Sequence, residues 1–369
     1  MRMFKLLIDH QTFSMQNYGG ISRYFANIHH KIESHENATS KIGVLYTPNY
    51  YLKDYSTPLN SVLGRLFLKK QRKLIKWNQK YSNHLIQQNN FDLLHPSYYN
   101  TYFLKNLKKP YVITVHDMIH ERLPEYFSPD DEFVQYKRVC VENAAHIIAI
   151  SEATKKDLQD ILNIDEKRIT VIHHGYQMST LPDPKESSLI AVQKNYLLFV
   201  GERKQYKNFS VFLNAVAPLL HEEKDLTLIC AGGGSFKQAE QELIRRLKIS
   251  EKTFQINVTD SELKALYENA RAFIFPSLYE GFGLPILEAF KYNCPVIASN
   301  TSCFSEIGGN AISYFDPSNT HSILKTIKEV INSNDLSLSL IKEGTMQLEK
   351  FSMDLCMNKT LAVYKSVTS

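Results

Sequence analysis

Apolar and polar positions along this chain alternate between two periods. Short apolar runs, "FKLLID", "IGVLY", "DLLH", "YVITV", "HIIAI" and "ITVI", are separated by amphipathic stretches through the first half. Runs this short and continuous, set between helical patterns, predict parallel strands buried on both faces. Helix starts stand beside them. Ser151 opens "SEATKKDLQDIL", and Ser128, Pro129 and two aspartates open a helix at "SPDDEF", residues that satisfy or tolerate the unpaired amides of a first turn. After "ITVIHHGY" the pattern stops: "QMSTLPDPKESSLIAVQKN" is rich in Ser, Pro, Asp and Lys and has no period, as an interdomain linker does. A second series follows, "YLLFV", a helix from Asn208, "LTLICA", a helix over "KQAEQELIRRL", "FQI", the helix "SELKALYENA", "AFIFPS" and "PVIAS", and then a terminal helix over "SMDLCMNKTLAVYKSV". The expectation is an α/β protein of two Rossmann-like, doubly wound parallel-sheet domains facing across a cleft. Its boundaries fall at 1–180 for the first domain, 181–195 for the linker, 196–350 for the second domain and 351–369 for a C-terminal helix crossing back to the first.

Composition narrows the class. A chain of 369 residues fits two domains of ordinary size. With 43% hydrophobic and 22% charged residues it has the balance of a soluble globular protein, and no apolar run approaches the roughly eighteen residues of a membrane span. The opening "MRMFKLLIDH" is too short and too soon acidic for a signal peptide and predicts a first strand. Cys140, Cys230, Cys294, Cys303 and Cys356 are scattered and form no C-x-x-C, which points away from disulfides and zinc and towards a reducing cytoplasm. The net charge of +5 gives no warrant for nucleic-acid binding. Its distribution is uneven at "RLFLKKQRKLIKWNQK", where Arg65, Lys69, Arg72, Lys76 and Lys80 recur at helical spacing, with Leu63, Phe67, Leu74, Trp77 and Tyr81 forming an apolar stripe. Such a helix either lies on an anionic membrane surface, making the protein peripheral to the inner face of the cytoplasmic membrane, or packs its apolar side on its own sheet.

Candidate chemistry concentrates at "SLYEGFGLPILEAF". A strand runs into a turn with Gly281 and Gly283, and Pro285 stands where a helix would begin, so backbone can approach a ligand closely and helix amides can face an anion. Two glutamates frame it. Glu280 and Glu288 invite comparison with the carboxylate pair of glycoside hydrolases, although alone Glu288 can serve the helix dipole and Glu280 can cap the loop. In the first half, Gly19 and Gly20 of "NYGGISRYF" make another close-approach turn ahead of a helix. His116 ends the strand "YVITV", at the carboxyl edge where ligands bind in α/β sheets. Asp117 beside it is a candidate orienting partner, and backbone bonding is the structural alternative for the histidine. His116 and His120 are four apart, but a strand runs into the first of them, which rules out the helical zinc motif. "LICAGGGSF" lacks the third glycine of a dinucleotide fingerprint, Lys237 standing in its place.

The segment "EGFGLPILE", seven residues between the acids, followed by "PVIAS", resembles the E-x7-E signature of retaining glycosyltransferases of GT-B fold, family 4. The likeness extends to "FVGERKQYKN" and "TSCFSEIGGNAISYFDP" and covers nearly the whole chain. It implies a GT-B enzyme without cofactor or metal, with a nucleoside diphosphate sugar as donor. By the resemblance Arg203 and Lys207 bind the donor diphosphate, as a guanidinium and an ammonium can; Glu280 contacts the transferred sugar and Glu288 the ribose. Gly281, Phe282, Gly283 and Leu284 line the donor turn, Gly19 and Gly20 contact donor phosphate or acceptor, and His116 contacts the donor sugar. Asp117 and Arg23 support them. "GGISRY" is similar to mannosyltransferases of bacterial O-antigen and polysaccharide assembly, implying GDP-mannose as donor and a lipid-linked oligosaccharide as acceptor. Other readings are a UDP-hexose or UDP-N-acetylhexosamine donor, a sugar-nucleotide epimerase, and a non-catalytic sugar-nucleotide binding protein. Asn257 and Asn293 stand where members commonly have glycine, and no proline precedes Glu306.

Overall fold

The computed structural model describes residues 3–59, 64, 68–129, 131–176 and 195–368. The chain divides into two units: one of Met1–Glu121, Phe127–His174 and Asp354–Ser369, the other of Arg122–Tyr126 and Gly175–Met353. The expected linker at 181–195 lies outside the described residues except for Asn195.

In the first unit β1 (Phe4–Ile8), β2 (Ala38–Ile42) and β3 (Leu93–His95) form a parallel sheet in the order β2-β1-β3. β4 (Val112–Val115), β5 (His146–Ala149) and β6 (Ile169–Val171) form a second, β4-β5-β6, and a single parallel bridge, Leu94 to Tyr111, joins the two. The apolar runs became strands because both faces are covered; every residue of β3 and β4 is buried. The run "IGVLY" is a correction: β2 begins four residues earlier and shares only Ile42 with it, and at Gly43, just after the strand, a Cβ would stand 2.3 Å from the Ser82 hydroxyl. The helix expected at "SPDDEF" begins at Phe133. Ser151 caps Glu152–Leu162, its hydroxyl accepting from the Thr154 amide at 3.1 Å. The terminal helix Met353–Thr368 presents Tyr364, whose hydroxyl meets His95 Nδ1 at 2.6 Å and whose ring stacks on Phe4.

The basic segment is also corrected. Its helix is Gln71–Gln88, opened by an extended Lys70, so Lys69 precedes it, while Leu63, Arg65 and Phe67 lie outside the described residues. The buried face is Leu74, Asn78, Ser82, Leu85 and Ile86. Asn78 turns inward because its carboxamide serves Leu45 N, Tyr46 O and Ser14 Oγ. That rotation leaves Trp77 39% exposed among Arg72, Lys73, Lys76 and Lys80. Among the described residues no helix is long and apolar enough to cross a membrane.

The second unit holds one six-stranded parallel sheet ordered β12-β11-β10-β7-β8-β9, built from β7 (Tyr196–Val200), β8 (Thr227–Ala231), β9 (Thr253–Ile256), β10 (Ala272–Phe275), β11 (Val296–Ser299) and β12 (Ile312–Phe315). Strand order reverses between β7 and β10, and in open α/β sheets ligands bind beyond the strand ends at such a point. Asn293 adopts φ +53° in the left-handed region, so asparagine replaces a glycine there directly; Asn257 does not adopt it.

Candidate functional site

The turns after β7 and β10 meet at the reversal. Leu278 N donates to Tyr206 O at 2.8 Å, stitching them together. Lys207 ends a short 3-10 turn, Gln205–Lys207, and its ammonium reaches Glu280 Oε1 at 2.5 Å with both side chains mostly shielded from solvent. Two residues 73 positions apart thus form one charged pair.

Neighbouring side chains fix the Glu280 turn from beneath. The Glu280 amide donates to Ser302 Oγ at 3.2 Å, and the Cys303 thiol lies 3.3 Å from Glu280 O and 3.0 Å from Phe282 O. Burial, with Glu280 adding to it, holds that thiol well above its usual range, so it stays protonated and can donate. Gly283 takes φ +103°, where a side chain is strained. The helix Leu284–Lys291 follows, with Pro285 as its second residue. Glu288 is therefore one turn inside the helix, past the first turn where a carboxylate would serve the helix dipole. Its carboxylate accepts from the buried Tyr267 hydroxyl at 3.3 Å, and burial, with Glu288 adding to it, holds the Tyr267 hydroxyl well above the usual phenol range.

Arg203 is engaged by its own chain. Its guanidinium donates to the carbonyls of Gly232, Gly234 and Ser235 at 3.1, 2.6 and 3.2 Å, and Nε meets Glu240 Oε1 at 3.2 Å. The side chain is 2% exposed. Gly232, Gly233 and Gly234 all take φ near +70°, and a Cβ on Gly233 would stand 2.8 Å from Arg203 Nη1. The glycine run of "LICAGGGSF" thus wraps a cation of its own chain, and Arg203 is held in this turn by its carbonyls.

In the first unit the strand ends carry histidines. The His116 amide donates to Tyr99 Oη at 3.0 Å, its ring stands at 5.7 Å from His174, and its Nε2 is buried without a partner among the described residues. Burial, with His95 and Lys137 adding to it, lowers the His116 imidazole to about 3, and burial chiefly holds His174 well below its ordinary value. Both are neutral at physiological pH and can only share neutral hydrogen bonds. Arg23 lies close enough to His174 to contribute to its shift. Asp117 does not orient His116: its Oδ1 accepts from the Ile119 amide at 3.1 Å and its carbonyl from Lys137 Nζ at 3.1 Å. Gly19 has extended backbone, and a Cβ there would stand 2.6 Å from Gln16 Oε1. Gln16 Oε1 also takes the Ser22 amide at 3.3 Å, so the helix Gly20–Glu33 opens partly capped rather than with all its amides free.

Residue-by-residue reasoning missed several members of this face. Asp9, fully buried at the end of β1, accepts from Gln11 N and Nε2, Ser97 N and Oγ, and the Tyr102 hydroxyl. Lys137 is fully buried and pairs with Glu121 at 2.9 Å. His174 had a legible signal, since it stands two residues after "ITVI", much as His116 stands directly after "YVITV". Among the described residues no three His, Cys, Asp or Glu side chains are grouped to hold a metal ion.

Residues 18–179 match the family model described as Glycosyltransferase Family 4, and residues 182–347 match that described as Glycosyl transferases group 1. The O-antigen chain mannosyltransferase RfbU of Salmonella typhimurium is 30% identical over 219 residues, 59% of this chain and 60% of that protein, so the match spans less than two thirds of this relative. O-antigen chain mannosyltransferase B of Escherichia coli is 27% identical over 279 residues, 72% of each chain. Among solved structures, sucrose-phosphate synthase from Thermosynechococcus elongatus has a TM-score of 0.76 at 17% identity, covering 99% of both chains. HepE of Anabaena, solved in complex with UDP and glucose, has a TM-score of 0.73 at 17% identity, covering 99% of this chain and 100% of its own. With one model matched over 18–179, the other over 182–347 and these neighbours in fold, the chain belongs to the group 1 glycosyltransferases of GT-B fold, with a family 4-like N-terminal domain.

Proposed function

We propose that this chain transfers a hexose from a nucleoside diphosphate sugar to a glycan acceptor, with retention of anomeric configuration and without a metal. The observation that carries this is the Lys207–Glu280 pair at the strand reversal, one turn of helix from Glu288. A donor diphosphate has a cation to meet in Lys207, and the amides of Gly283 and Leu284 precede Pro285, which has none. Glu280, released from Lys207, accepts hydroxyls of the sugar, and Glu288, held by Tyr267, accepts those of the ribose. In the reaction the bond from the anomeric carbon to the phosphate oxygen breaks and a bond to the acceptor oxygen forms. The acceptor proton passes to the departing phosphate, and Lys207 stabilises the charge that develops there.

The donor of choice is GDP-mannose, in keeping with relatives named as O-antigen chain mannosyltransferases. A UDP-hexose is the second reading, favoured by a structural neighbour solved with UDP and glucose. The acceptor is read as a lipid-linked oligosaccharide at the inner face of the cytoplasmic membrane. The exposed basic face of Gln71–Gln88, with Trp77 in it, supports that placement. The test is a thermal-shift panel of GDP, UDP, ADP and dTDP with their sugars, followed by transfer from the best donor to membrane lipid extracts. Stabilisation by GDP compounds and labelled glycolipid are expected. Stabilisation by UDP compounds alone would move the donor to the second reading, and binding without transfer to any acceptor would count against the enzyme.

A further inference from the structure

We propose that Tyr24, Thr360 and Tyr364 are positioning residues for the strand-end histidines of the first unit: a hydrogen-bonded chain that starts and ends on the C-terminal helix holds the Tyr24 ring against His116 and His174. This rests on the transferase reading, takes the ligand of those imidazoles to be a hydroxyl of a sugar substrate, and makes Met353–Thr368 part of the site.

The chain can be followed proton by proton. His95 is fully buried, and burial lowers its imidazole to about 3, so it is neutral and carries one N–H. Tyr364 Oη lies 2.6 Å from His95 Nδ1 and has no other hydrogen-bond partner among the described residues. Burial, with Tyr24 and Cys356 adding to it, holds that phenol well above its usual range, so it stays protonated and donates to Nδ1. The imidazole hydrogen is therefore on Nε2, which donates to Thr114 Oγ1 at 3.0 Å. Thr114 keeps its own hydrogen for Tyr24 Oη at 3.2 Å. The Tyr24 hydroxyl in turn bonds Thr360, whose hydroxyl donates to Cys356 O at 2.8 Å. Each of these hydrogens has its own acceptor.

Four elements contribute to it. Tyr24 belongs to the helix Gly20–Glu33, Thr360 and Tyr364 to Met353–Thr368, His95 ends β3, and Thr114 lies in β4. Thr114 and His116 are two residues apart on an extended segment and face the same side. Anchored to Thr114 by its hydroxyl, Tyr24 lays its ring beside His116, 5.9 Å away at 88°, and beside His174, 4.9 Å away at 67°. The two imidazoles stand nearly parallel, with 20° between their planes.

One uncommitted atom points to a ligand. His116 Nε2 is buried with no partner among the described residues, whereas both nitrogens of His95 are used. A hydrogen bond left unmade in a buried place is costly, and this one stands at the carboxyl end of a parallel strand, where α/β folds bind substrates. A hydroxyl matches it, because a neutral imidazole nitrogen shares a hydrogen bond with a hydroxyl and offers no charge to a phosphate. Such a bond is aimed only as well as its ring, and the ring is held by Tyr24.

NMR of the full chain with labelled histidine, at pH 7 and without donor or acceptor, tests the positioning. In the parent, long-range proton–nitrogen correlations should show His95 with its hydrogen on Nε2. Tyr24→Phe, Tyr364→Phe and Thr114→Val should each move the ring signals of His116 and His174. Tyr111→Phe, which removes a similarly buried phenol bond to Cys140 O at 2.6 Å, should leave them in place. Transfer assays read the consequence: Tyr24→Phe and Tyr364→Phe should lower kcat about tenfold with the donor KM within about twofold of the parent's, and Tyr111→Phe should lose comparable stability yet keep the parent's kcat. Thr114→Val, which leaves both helices untouched, decides the matter where Tyr364→Phe does not fold. His95 with its hydrogen on Nδ1, histidine signals unmoved by the three variants, or a kcat loss in Tyr111→Phe as large as theirs would overturn the proposal. A parent that transfers no sugar fails the transferase reading alone, because the histidine signals are read without substrate.

Discussion

The strand ends of the two units handle charge in opposite ways. Beyond β10 of the second unit, Glu280 meets Lys207 across a turn and both remain partly exposed. Beyond β1 of the first, Asp9 has no exposure and five protein donors, and the neighbouring histidines are neutral. A carboxylate so saturated is a strut for Gln11 and Ser97, whereas a single ion pair can exchange its partner for a ligand. The same contrast recurs inside the second unit. Arg203 and Lys207 stand four residues apart, one enclosed by carbonyls and the other at the surface of the turn. Charge beyond a strand end therefore marks a candidate ligand site only where the fold has left it uncommitted, in keeping with the donor role proposed for the second unit.

The largest effect should come from separating these roles. Lys207→Ala should lower kcat by about 10²–10³ while leaving the melting temperature near the parent's, as loss of one preorganised charge stabiliser does. Arg203→Ala should do the reverse in kind. Removing it leaves the carbonyls of Gly232, Gly234 and Ser235 without that donor and Glu240 without its ion partner in a buried place, at a cost of about 3 kcal/mol in urea unfolding, with the loss read in stability before activity. Equal unfolding midpoints for the two variants would erase the distinction.

Acid should then separate the units. His10 and His29 are lowered to about 4, His95 and His116 to about 3, and His146 and His174 are also depressed, burial being the first cause in each; all belong to the first unit. Below about pH 6.5 the unfolded chain binds protons that the folded one refuses, so stability falls with pH by up to about 1.4 kcal/mol per unit for each of the deeply buried His10, His95, His116 and His174, and by less for His29 and His146, which lie nearer the surface, until the folded values are reached. Hydrogen exchange at pH 7 and pH 5 should show protection lost first in 3–121 and 131–174. Uniform loss across both units would contradict it. The smallest effect is expected at Tyr267→Phe, which removes one hydrogen bond to Glu288 and should weaken nucleotide binding by about fivefold, measured by calorimetry.

Most strands were legible because parallel strands buried on both faces are continuous apolar runs. Two strands are exceptions: β2 reads "ATSKI", and β12 reads "ISYF" with Ser313 and Tyr314 only partly buried, so neither contains such a run. The donor turn was legible because its glycines, proline and glutamates act locally. Contacts across sequence were not. The carbonyls that enclose Arg203 lie about thirty residues away and Glu240 lies 37 away, so nothing in "ERKQYK" distinguishes the committed cation from the uncommitted one. Lys137 looks like any surface lysine of an amphipathic helix until Glu121 and the rings of Tyr99 and Phe133 enclose it. Asp117 sat beside His116 in sequence, but a residue next to a strand end points to the other side, and its carboxylate caps the following turn.

The central claim is that Lys207 and Glu280 form the donor end of a transferase. Its most direct measurement is single-turnover transfer from radiolabelled GDP-mannose, with UDP-glucose in parallel, to a membrane lipid extract by the parent and by Lys207→Ala. The account predicts labelled glycolipid with nucleoside diphosphate released in equal amount by the parent, and a rate about 10²–10³ lower for the variant. Equal rates for the two proteins, or nucleotide release with no labelled glycan from either donor, would contradict it.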